Sequence, residues 1–270
     1  MNINDLSTQL LYTTVPLWTE ASAGTEVTAG TAFIYSVTVP DKPNETIPLL
    51  VTNKHVVQGA KRGLIEFVGR DGEQPAKEKK IRAEIDGSLL TSNVSPDLDI
   101  AIVPIGAMLN QLQASGQLPF FRTVGPELIP STSVMDELAA IEDIIFIGYP
   151  SGLRDEKNST PLIRRGITAT PAWNNFQGEP CFLIDAGVFP GSSGSPVFIL
   201  NQGAYPTKSG LAVGSRLLFL GVIFQTLSRS TPDDRAYLGL GKVLRSDSLR
   251  DFIGSAIGPL VPRPDAEPQV

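Results

Sequence analysis

Cysteine and histidine are almost missing from this sequence, which holds one of each, Cys181 and His55. A single cysteine excludes an intramolecular disulfide, and one cysteine with one histidine leaves too few soft ligands for a zinc site. We therefore expect no metal and no other cofactor.

Basic residues are also scarce, with 22 Lys and Arg against 28 Asp and Glu and a net charge of -6. A surface of that sign repels phosphate backbones and anionic lipids, so neither nucleic acid nor a membrane is an expected partner. The N-terminus lacks a basic segment followed by an apolar core, and no apolar run approaches the ~18 residues of a membrane span. We expect a cytoplasmic protein.

Apolar residues are plentiful, at 41%, but 25 glycines and 22 prolines divide them into short runs rich in Val, Ile, Phe and Thr. Short runs of this composition between turn residues are typical of an all-β protein, here with about eleven strands. The predicted strands span 32–39, 47–52, 63–68, 80–86, 100–105, 144–148, 167–170, 181–186, 195–200, 217–226 and 237–243.

The strand pattern lapses at residues 122–142, where mixed polarity indicates a connector between two groups of strands. We therefore predict two β-barrels or sandwiches, at 1–121 and 143–257. The second ends in a short helix, the only helix that we predict, and the proline-rich residues 258–270 are expected to form a flexible tail. The helix is indicated by apolar residues that recur at three- and four-residue spacing on one face, namely Leu249, Phe252, Ile253 and Ile257.

The only histidine restricts any hydrolytic mechanism based on a serine. A serine hydroxyl becomes a good nucleophile only when a base takes its proton and a third group orients that base. His55 would have to be the base, and it closely follows the predicted strand 47–52. A lone histidine is more often structural, so other residues have to support this role.

The candidate nucleophile is Ser193, in the segment FPGSSGSP at 189–196. Its glycines allow successive N–H groups to point at one spot, as an oxyanion hole requires, although a plain turn has the same composition. Asp99 stands at the start of the apolar run 100–105, where a partly desolvated carboxylate needs a donor such as an imidazole N–H. Each of these residues, taken alone, is also compatible with a structural role.

Together these segments resemble the trypsin-like (chymotrypsin-fold) serine peptidases, nearer to the bacterial HtrA-type branch. The matching features occur in the order His, Asp, Ser, and they include GTAF, TNKHVV, DIAIV, IGYPSGL and GSSGSP. The resemblance implies two antiparallel six-stranded β-barrels with the active site in the cleft between them. We expect no PDZ domain after the peptidase domain.

By the same resemblance, the chain is a serine endopeptidase for proteins or peptides, with His55 as general base and acid, Asp99 as its orienter and Ser193 as the acylated nucleophile. The N–H groups of Gly191 and Ser193 would form the oxyanion hole. The segment before the serine and a later strand would wall the primary substrate pocket. Those residues are Gly187, Val188, Phe189, Ile223, Phe224 and Gln225. None is a carboxylate, so we expect an apolar or small residue before the scissile bond.

Other functions fit the sequence less well. An α/β-hydrolase esterase has its nucleophile in G-x-S-x-G and its histidine after the serine, and neither applies here. A cysteine hydrolase would have to use Cys181, which lies in a predicted buried strand. A binding module whose triad is silent, or latent until a protein partner activates it, is left open by the sequence. Reactivity toward a fluorophosphonate would distinguish it from an active enzyme.

Overall fold

The computed structural model describes residues 3–21, 27–39, 42–208, 210–230 and 235–258. Within them the chain forms sixteen strands and six α-helices. The strands are β1 (Thr14–Glu20), β2 (Val27–Val39), β3 (Lys42–Thr52), β4 (Arg62–Asp71), β5 (Gln74–Asp86), β6 (Asn93–Val94), β7 (Ala101–Pro104), β8 (Pro119–Phe120), β9 (Asp143–Gly148), β10 (Leu162–Thr168), β11 (Cys181–Asp185), β12 (Pro196–Asn201), β13 (Ala204–Thr207), β14 (Gly210–Val213), β15 (Arg216–Ser230) and β16 (Arg235–Arg245). The helices are α1 (Leu6–Leu10), α2 (Lys54–Val57), α3 (Gly87–Leu90), α4 (Gly106–Ala114), α5 (Thr132–Glu137) and α6 (Ser246–Ile257).

Each predicted strand overlaps a strand of the structure, so the mostly β character is confirmed. The prediction missed β1, β6, β8, β13 and β14. β1 contains Pro16, and a proline within an apolar run argues against a strand because it has no N–H to donate. The expectation of a single helix is wrong. The additional helices are short, and even the longest of them, α4, has no fully buried side chain, although Met108, Leu109 and Leu112 pack partly against the N-terminal core.

The N-terminal strands form an antiparallel sheet in the order β5-β4-β1-β2-β3-β7-β6, with β8 paired to β4. The residues from Ile100 to Val103, which lead into and form most of β7, are completely buried and face apolar clusters on both sides. An unbroken apolar run suits a strand that is covered on both faces. Within the described residues, no pairing joins the two ends of this sheet. A closed barrel in this half is therefore not shown and stays a prediction.

The C-terminal strands form a closed barrel in the order β10-β11-β16-β15-β12-β9. This confirms one of the two predicted six-stranded barrels. Helix α6 follows the last strand, as predicted, and buries Leu249 and Ile253 while Phe252 and Ile257 pack partly against the same apolar cluster. The barrel has its own interior, filled by side chains such as Phe182.

The apolar cluster against which α6 packs also joins the two halves. It includes Phe33 from β2 and Ile102 from β7 on one side, and Phe198 from β12, Phe219 from β15 and Leu249 from α6 on the other. All of these side chains are completely buried, and the Phe33 and Phe219 ring centres are 5.5 Å apart. Burial of this shared apolar surface holds the halves in one arrangement, which matters for any site that takes residues from both.

Residues 122–142, the predicted connector, include the helix α5 and a backbone bridge from Val124 to Tyr35 of β2. The domain boundaries at 1–121 and 143–257 stay predictions. The predicted tail, 258–270, lies outside the described residues except for Gly258. No helix in the described ranges combines the length and hydropathy needed to cross a bilayer.

Candidate active site

His55 lies where strand β3 gives way to the short helix α2. Asn53, in extended conformation, separates the end of the strand from the start of the helix. Val56 and Val57, next along α2, are buried in the N-terminal core, so the histidine before them projects outward. Its side chain is 46% exposed, which leaves the imidazole accessible to a ligand.

Asp99 lies beside His55 because strand pairing brings the two together. Thr52 at the end of β3 pairs with Ala101 at the start of β7, so the residues that flank these strand ends are neighbours. Asn53 Nδ2 supports this arrangement by donating a hydrogen bond to the Asp99 carbonyl oxygen at 2.8 Å. The Asp99 carboxylate then accepts from the backbone N–H of His55 at 3.0 Å, and its Oδ2 lies 2.6 Å from the ring Nδ1. Both contacts orient the imidazole.

Ser193 belongs to the loop between β11 and β12, and this loop is anchored on the opposite half of the molecule. Thr31 N, in β2, donates a hydrogen bond to the Ser193 carbonyl oxygen at 2.9 Å. Gly194 has a φ of +87°, and a Cβ there would lie 1.9 Å from the Thr31 carbonyl oxygen, so only glycine fits. Ser193 Oγ is 3.0 Å from His55 Nε2. The structure thus brings together His55, Asp99 and Ser193, as the sequence predicts.

The N–H groups of Gly191 and Ser193 lie in the loop between β11 and β12, called the serine loop below. The direction of each N–H is fixed by a hydrogen bond to the carbonyl oxygen of the same peptide unit. The Pro190 carbonyl oxygen accepts a hydrogen bond from Ser151 N at 2.8 Å, and the Ser192 carbonyl oxygen accepts one from Ser195 N at 3.0 Å. In a trans peptide the C=O and N–H point in opposite directions, so the N–H groups of Gly191 and Ser193 point away from these partners. Neither N–H donates a hydrogen bond to another described residue, so both are available to a bound acceptor.

A cavity of about 440 Å³ opens at the side chains of His55, Asp99 and Ser193. A segment of β15 forms part of its wall and contributes Phe224 and Gln225, two residues of the predicted substrate pocket. Thr226 also lines the cavity, and the prediction missed it although it is the next residue on that strand. The residues that line the cavity are His55, Asp99, Ser193, Phe224, Gln225 and Thr226.

The other four residues of the predicted substrate pocket lie in two different environments. Val188 and Ile223 are fully buried in the C-terminal core, so their side chains do not line this cavity. Ile223 instead holds the serine loop, because its carbonyl oxygen accepts a hydrogen bond from Gly194 N at 2.9 Å. Gly187 is partly buried and Phe189 is exposed, and both lie next to Arg164 of β10.

Cys181, in strand β11, is buried. Burial raises the pKa of its thiol, which disfavours the reactive thiolate. The neighbour of its sulfur is the Glu179 carboxylate at 3.7 Å. Cys181 therefore has the environment of a core residue and not of a nucleophile. Across the described part of the chain, no three His, Cys, Asp or Glu side chains converge as metal ligands would.

A protein-family comparison matches the same part of the chain. The model of the trypsin-like peptidase domain matches residues 30–204, more than half of the sequence. The matched range includes His55, Asp99 and Ser193, together with the glycines of the serine loop. Among curated proteins, none matches the chain.

Solved structures resemble the fold at low sequence identity. A serine endoprotease from Yersinia pestis is 17% identical, with a TM-score of 0.53, and the alignment covers 95% of this chain and 67% of that chain. The Rv3671c protease from M. tuberculosis, in its active form, is 18% identical, with a TM-score of 0.48, over 97% of this chain and 86% of that chain. At this identity the Yersinia structure shows that the fold is shared.

Proposed function

The chain belongs to the trypsin-like peptidase domain family and is a trypsin-like serine protease, and we propose that it is an endopeptidase acting through an acyl-enzyme on Ser193. The observation that carries the proposal is the continuous line of contacts from Asp99 through His55 to Ser193, at 2.6 and 3.0 Å. These are hydrogen-bond distances between a nucleophile, its base and the group that orients the base.

In the acylation step, Ser193 Oγ attacks the carbonyl carbon of the scissile peptide while its proton passes to His55 Nε2. Asp99 accepts a hydrogen bond from the Nδ1–H of the same ring. That bond keeps the unprotonated Nε2 directed at the serine, and the negative carboxylate stabilises the imidazolium that forms. The exposed position of His55 at the cavity allows the ring to meet the substrate.

The tetrahedral intermediate carries a negative oxygen, which we place against the N–H groups of Gly191 and Ser193. Removing one such preorganised donor typically lowers kcat by about 10²- to 10³-fold. His55 then gives its proton to the leaving amine, and the acyl-enzyme forms as the peptide bond breaks. A water molecule attacks the acyl group with His55 again as base, which releases the second product and restores Ser193.

In this proposal, proteins or peptides bind in a cleft between the N-terminal sheet and the C-terminal barrel. The sheet would be the counterpart of the first barrel in the two-barrel architecture implied by the resemblance. The cleft is supported by the origin of the three residues, since His55 and Asp99 come from one half and Ser193 from the other. Phe224 to Thr226 line the same cavity. The alternative of a silent binding module has no observation in its favour.

Fluorophosphonate labelling tests the proposed chemistry without assuming a substrate. The native protein is labelled beside Ser193→Ala and His55→Ala, and the modified residue is located by peptide mass spectrometry. We expect labelling at Ser193 that both substitutions abolish, because the probe needs an activated serine. Ser192→Ala is the matched control, since that neighbouring serine is buried and its Oγ has no hydrogen-bond partner among the residues that the structure describes.

Labelling at Ser192, or at Ser193 in the His55→Ala protein, would contradict the assigned roles. Absence of label on the folded native protein would instead support a latent or silent module. In that case the next step would be a search for an activating protein, tested by labelling in its presence.

A further inference from the structure

Two adjacent arginines of β10 have opposite environments. Arg165 is 72% exposed, and its guanidinium pairs with the Asp143 carboxylate at 3.0 Å. Arg164 projects to the other face of the strand and is partly buried. Within the described residues it makes no ion pair and no hydrogen bond. A partly buried charge without a counter-ion is unfavourable, so Arg164 is a candidate for binding an anionic group.

Arg164 lies against the loop that carries Ser193. Its guanidinium carbon is 5.1 Å from the centre of the Phe189 ring, which is a cation–π contact. A Cβ on Gly187 would lie 2.7 Å from Arg164 Nη2, so the guanidinium occupies space that a side chain at this position would fill. Stacking on an aromatic face leaves the N–H edge of a guanidinium free, and that edge matches a carboxylate in two parallel hydrogen bonds.

Strand β16 links the wall of the cavity to the residues that contact Arg164. Thr226, on that wall, pairs with Gly241 of β16. Further along β16, the Gly239 carbonyl oxygen accepts a hydrogen bond from Gly187 N at 2.9 Å, which ties the serine loop to this strand. Tyr237 then packs against the Phe189 ring at 6.3 Å between ring centres. A side chain that enters beside Ser193 along β16 therefore approaches Arg164.

A carboxylate of the protein also lies in this region but faces another way. Asp185 Oδ1 would be 4.0 Å from a Cβ on Gly239. Asp185 pairs with Ile167 of β10, and paired residues of neighbouring strands project to the same face. Ile167 shares its face with Arg165, opposite to Arg164. Asp185 consequently does not neutralise Arg164, and no ion pair joins them.

From these contacts we propose that Arg164 binds the carboxylate of an acidic residue that immediately precedes the scissile bond. The enzyme then prefers Asp or Glu at this position. The inference rests on the proposed function and names the substrate class of the same site. It revises the expectation of an apolar or small residue, because that expectation took no account of a charged side chain from β10.

The test compares peptides that differ only in the residue before the scissile bond, which is Glu, Gln, Leu or Lys. For the native protein we expect kcat/KM for the Glu peptide to exceed that for the Gln peptide by roughly 10- to 100-fold, as for other charge-assisted hydrogen bonds. In Arg164→Gln this advantage should disappear, so that the Glu and Gln peptides are cleaved at similar rates. Equal or faster cleavage of the Gln or Leu peptide by the native protein would overturn the proposal.

Charge reversal and the neighbouring arginine make the test specific. Arg164→Glu should transfer the preference from the Glu peptide to the Lys peptide, whereas Arg165→Gln, the matched control, should keep the native preference. Arg164→Lys retains the charge, so we expect it to keep part of the Glu advantage. This variant still tests the proposal if the other two variants fold poorly. Loss of the preference in Arg165→Gln, or its persistence in Arg164→Gln, would contradict the assignment.

Fluorophosphonate labelling separates failure of this proposal from failure of the proposed function, because that probe carries no side chain for the pocket. A protein that is labelled at Ser193 but cleaves all four peptides alike is a serine hydrolase without an acidic preference. A protein that is not labelled and cleaves none of them overturns the function, and the inference about Arg164 falls with it.

Discussion

The two halves of the molecule contribute to the site by different means. In the N-terminal sheet, the pairing of β3 with β7 places His55 and Asp99 side by side, so their contact is internal to one half. In the C-terminal barrel, Ser193 lies on a loop whose position depends on Thr31 of the other half. The acid–base pair is therefore set by strand register, whereas the contact between base and nucleophile is set by how the halves dock.

This difference separates the kinds of damage that substitutions can cause. Changes within the acid–base pair should remove chemistry and leave the fold intact, because His55 is exposed and Asp99 is not part of the core. Changes at the contact between the halves should displace the serine and also destabilise the protein. The predictions below test this division, beginning with the largest effect.

His55→Ala should produce the largest loss, a fall in kcat of about 10⁶-fold, because no other described residue near Ser193 can take its proton. Asp99→Asn should cost about 10⁴-fold, since an amide does not hold the imidazole in the required tautomer. Steady-state kinetics on a cleaved peptide measures both, and urea unfolding should show little change in stability. Unfolding of either variant under native conditions would show that the substituted residue is needed for stability.

Gly194→Ala tests the docking of the serine loop on the N-terminal half. The added Cβ would meet the Thr31 carbonyl oxygen, so the loop has to move away from β2. A displacement of about 1 Å at a reacting group can lower the rate by about 10²-fold, and we expect at least that loss in kcat.

Gly203→Ala is the matched control for Gly194→Ala. Gly203 also has a positive φ, +90°, but a Cβ there would meet nothing within 4 Å. Backbone strain should therefore lower the free energy of unfolding of the Gly203→Ala variant by about 1–3 kcal/mol and leave its kcat unchanged. Equal kinetics for the two variants would show that the clash with Thr31 does not position the serine.

Glu66→Gln tests a second connection between the halves. Glu66 of β4 is 3% exposed, and it accepts a hydrogen bond at 2.8 Å from Arg154, a residue of the C-terminal half that is 11% exposed. Removing the negative charge leaves a buried arginine uncompensated, so the free energy of unfolding should fall by about 3–5 kcal/mol in urea denaturation. Asp143→Asn, in the exposed pair with Arg165, should change it by about 1 kcal/mol or less.

Cys181→Ala should have the smallest effect. Because burial raises the pKa of the thiol, Cys181 should react slowly with iodoacetamide in the folded protein and quickly after unfolding. The kcat/KM of the Ala variant should stay within about twofold of native, as expected for a small core residue. Loss of fluorophosphonate labelling in this variant would give Cys181 a role in the site that its environment does not suggest.

Much of the candidate site was predictable because its chemistry is local. The only histidine, the aspartate at the start of an apolar run and the second serine of the segment GSSG made His55, Asp99 and Ser193 candidates before any contact was known. Apolar periodicity predicted α6, and short apolar runs between turn residues predicted the eleven strands, since both patterns are properties of neighbouring residues.

The parts that were not predictable depend on packing between distant segments. Val188 and Ile223 fall in the predicted pocket by sequence position, yet the barrel buries both in its core. Thr31 stands in the GTAF segment, but nothing in that segment shows that it holds the Ser193 loop. Pro16 concealed β1 because the local rule against proline in strands was overridden by pairing on both sides.

The sequence by itself determined which residue types can carry the chemistry, where the turns fall and that the chain is mostly β-structure. Only the tertiary structure decided that His55 and Ser193, 138 positions apart, meet at 3.0 Å. It also decided that the N-terminal sheet leaves its ends unpaired within the described residues and that Arg164 faces the serine loop while Arg165 faces outward. The physical reason is that turns and periodicity are properties of neighbouring residues, whereas contacts between halves depend on how whole surfaces pack.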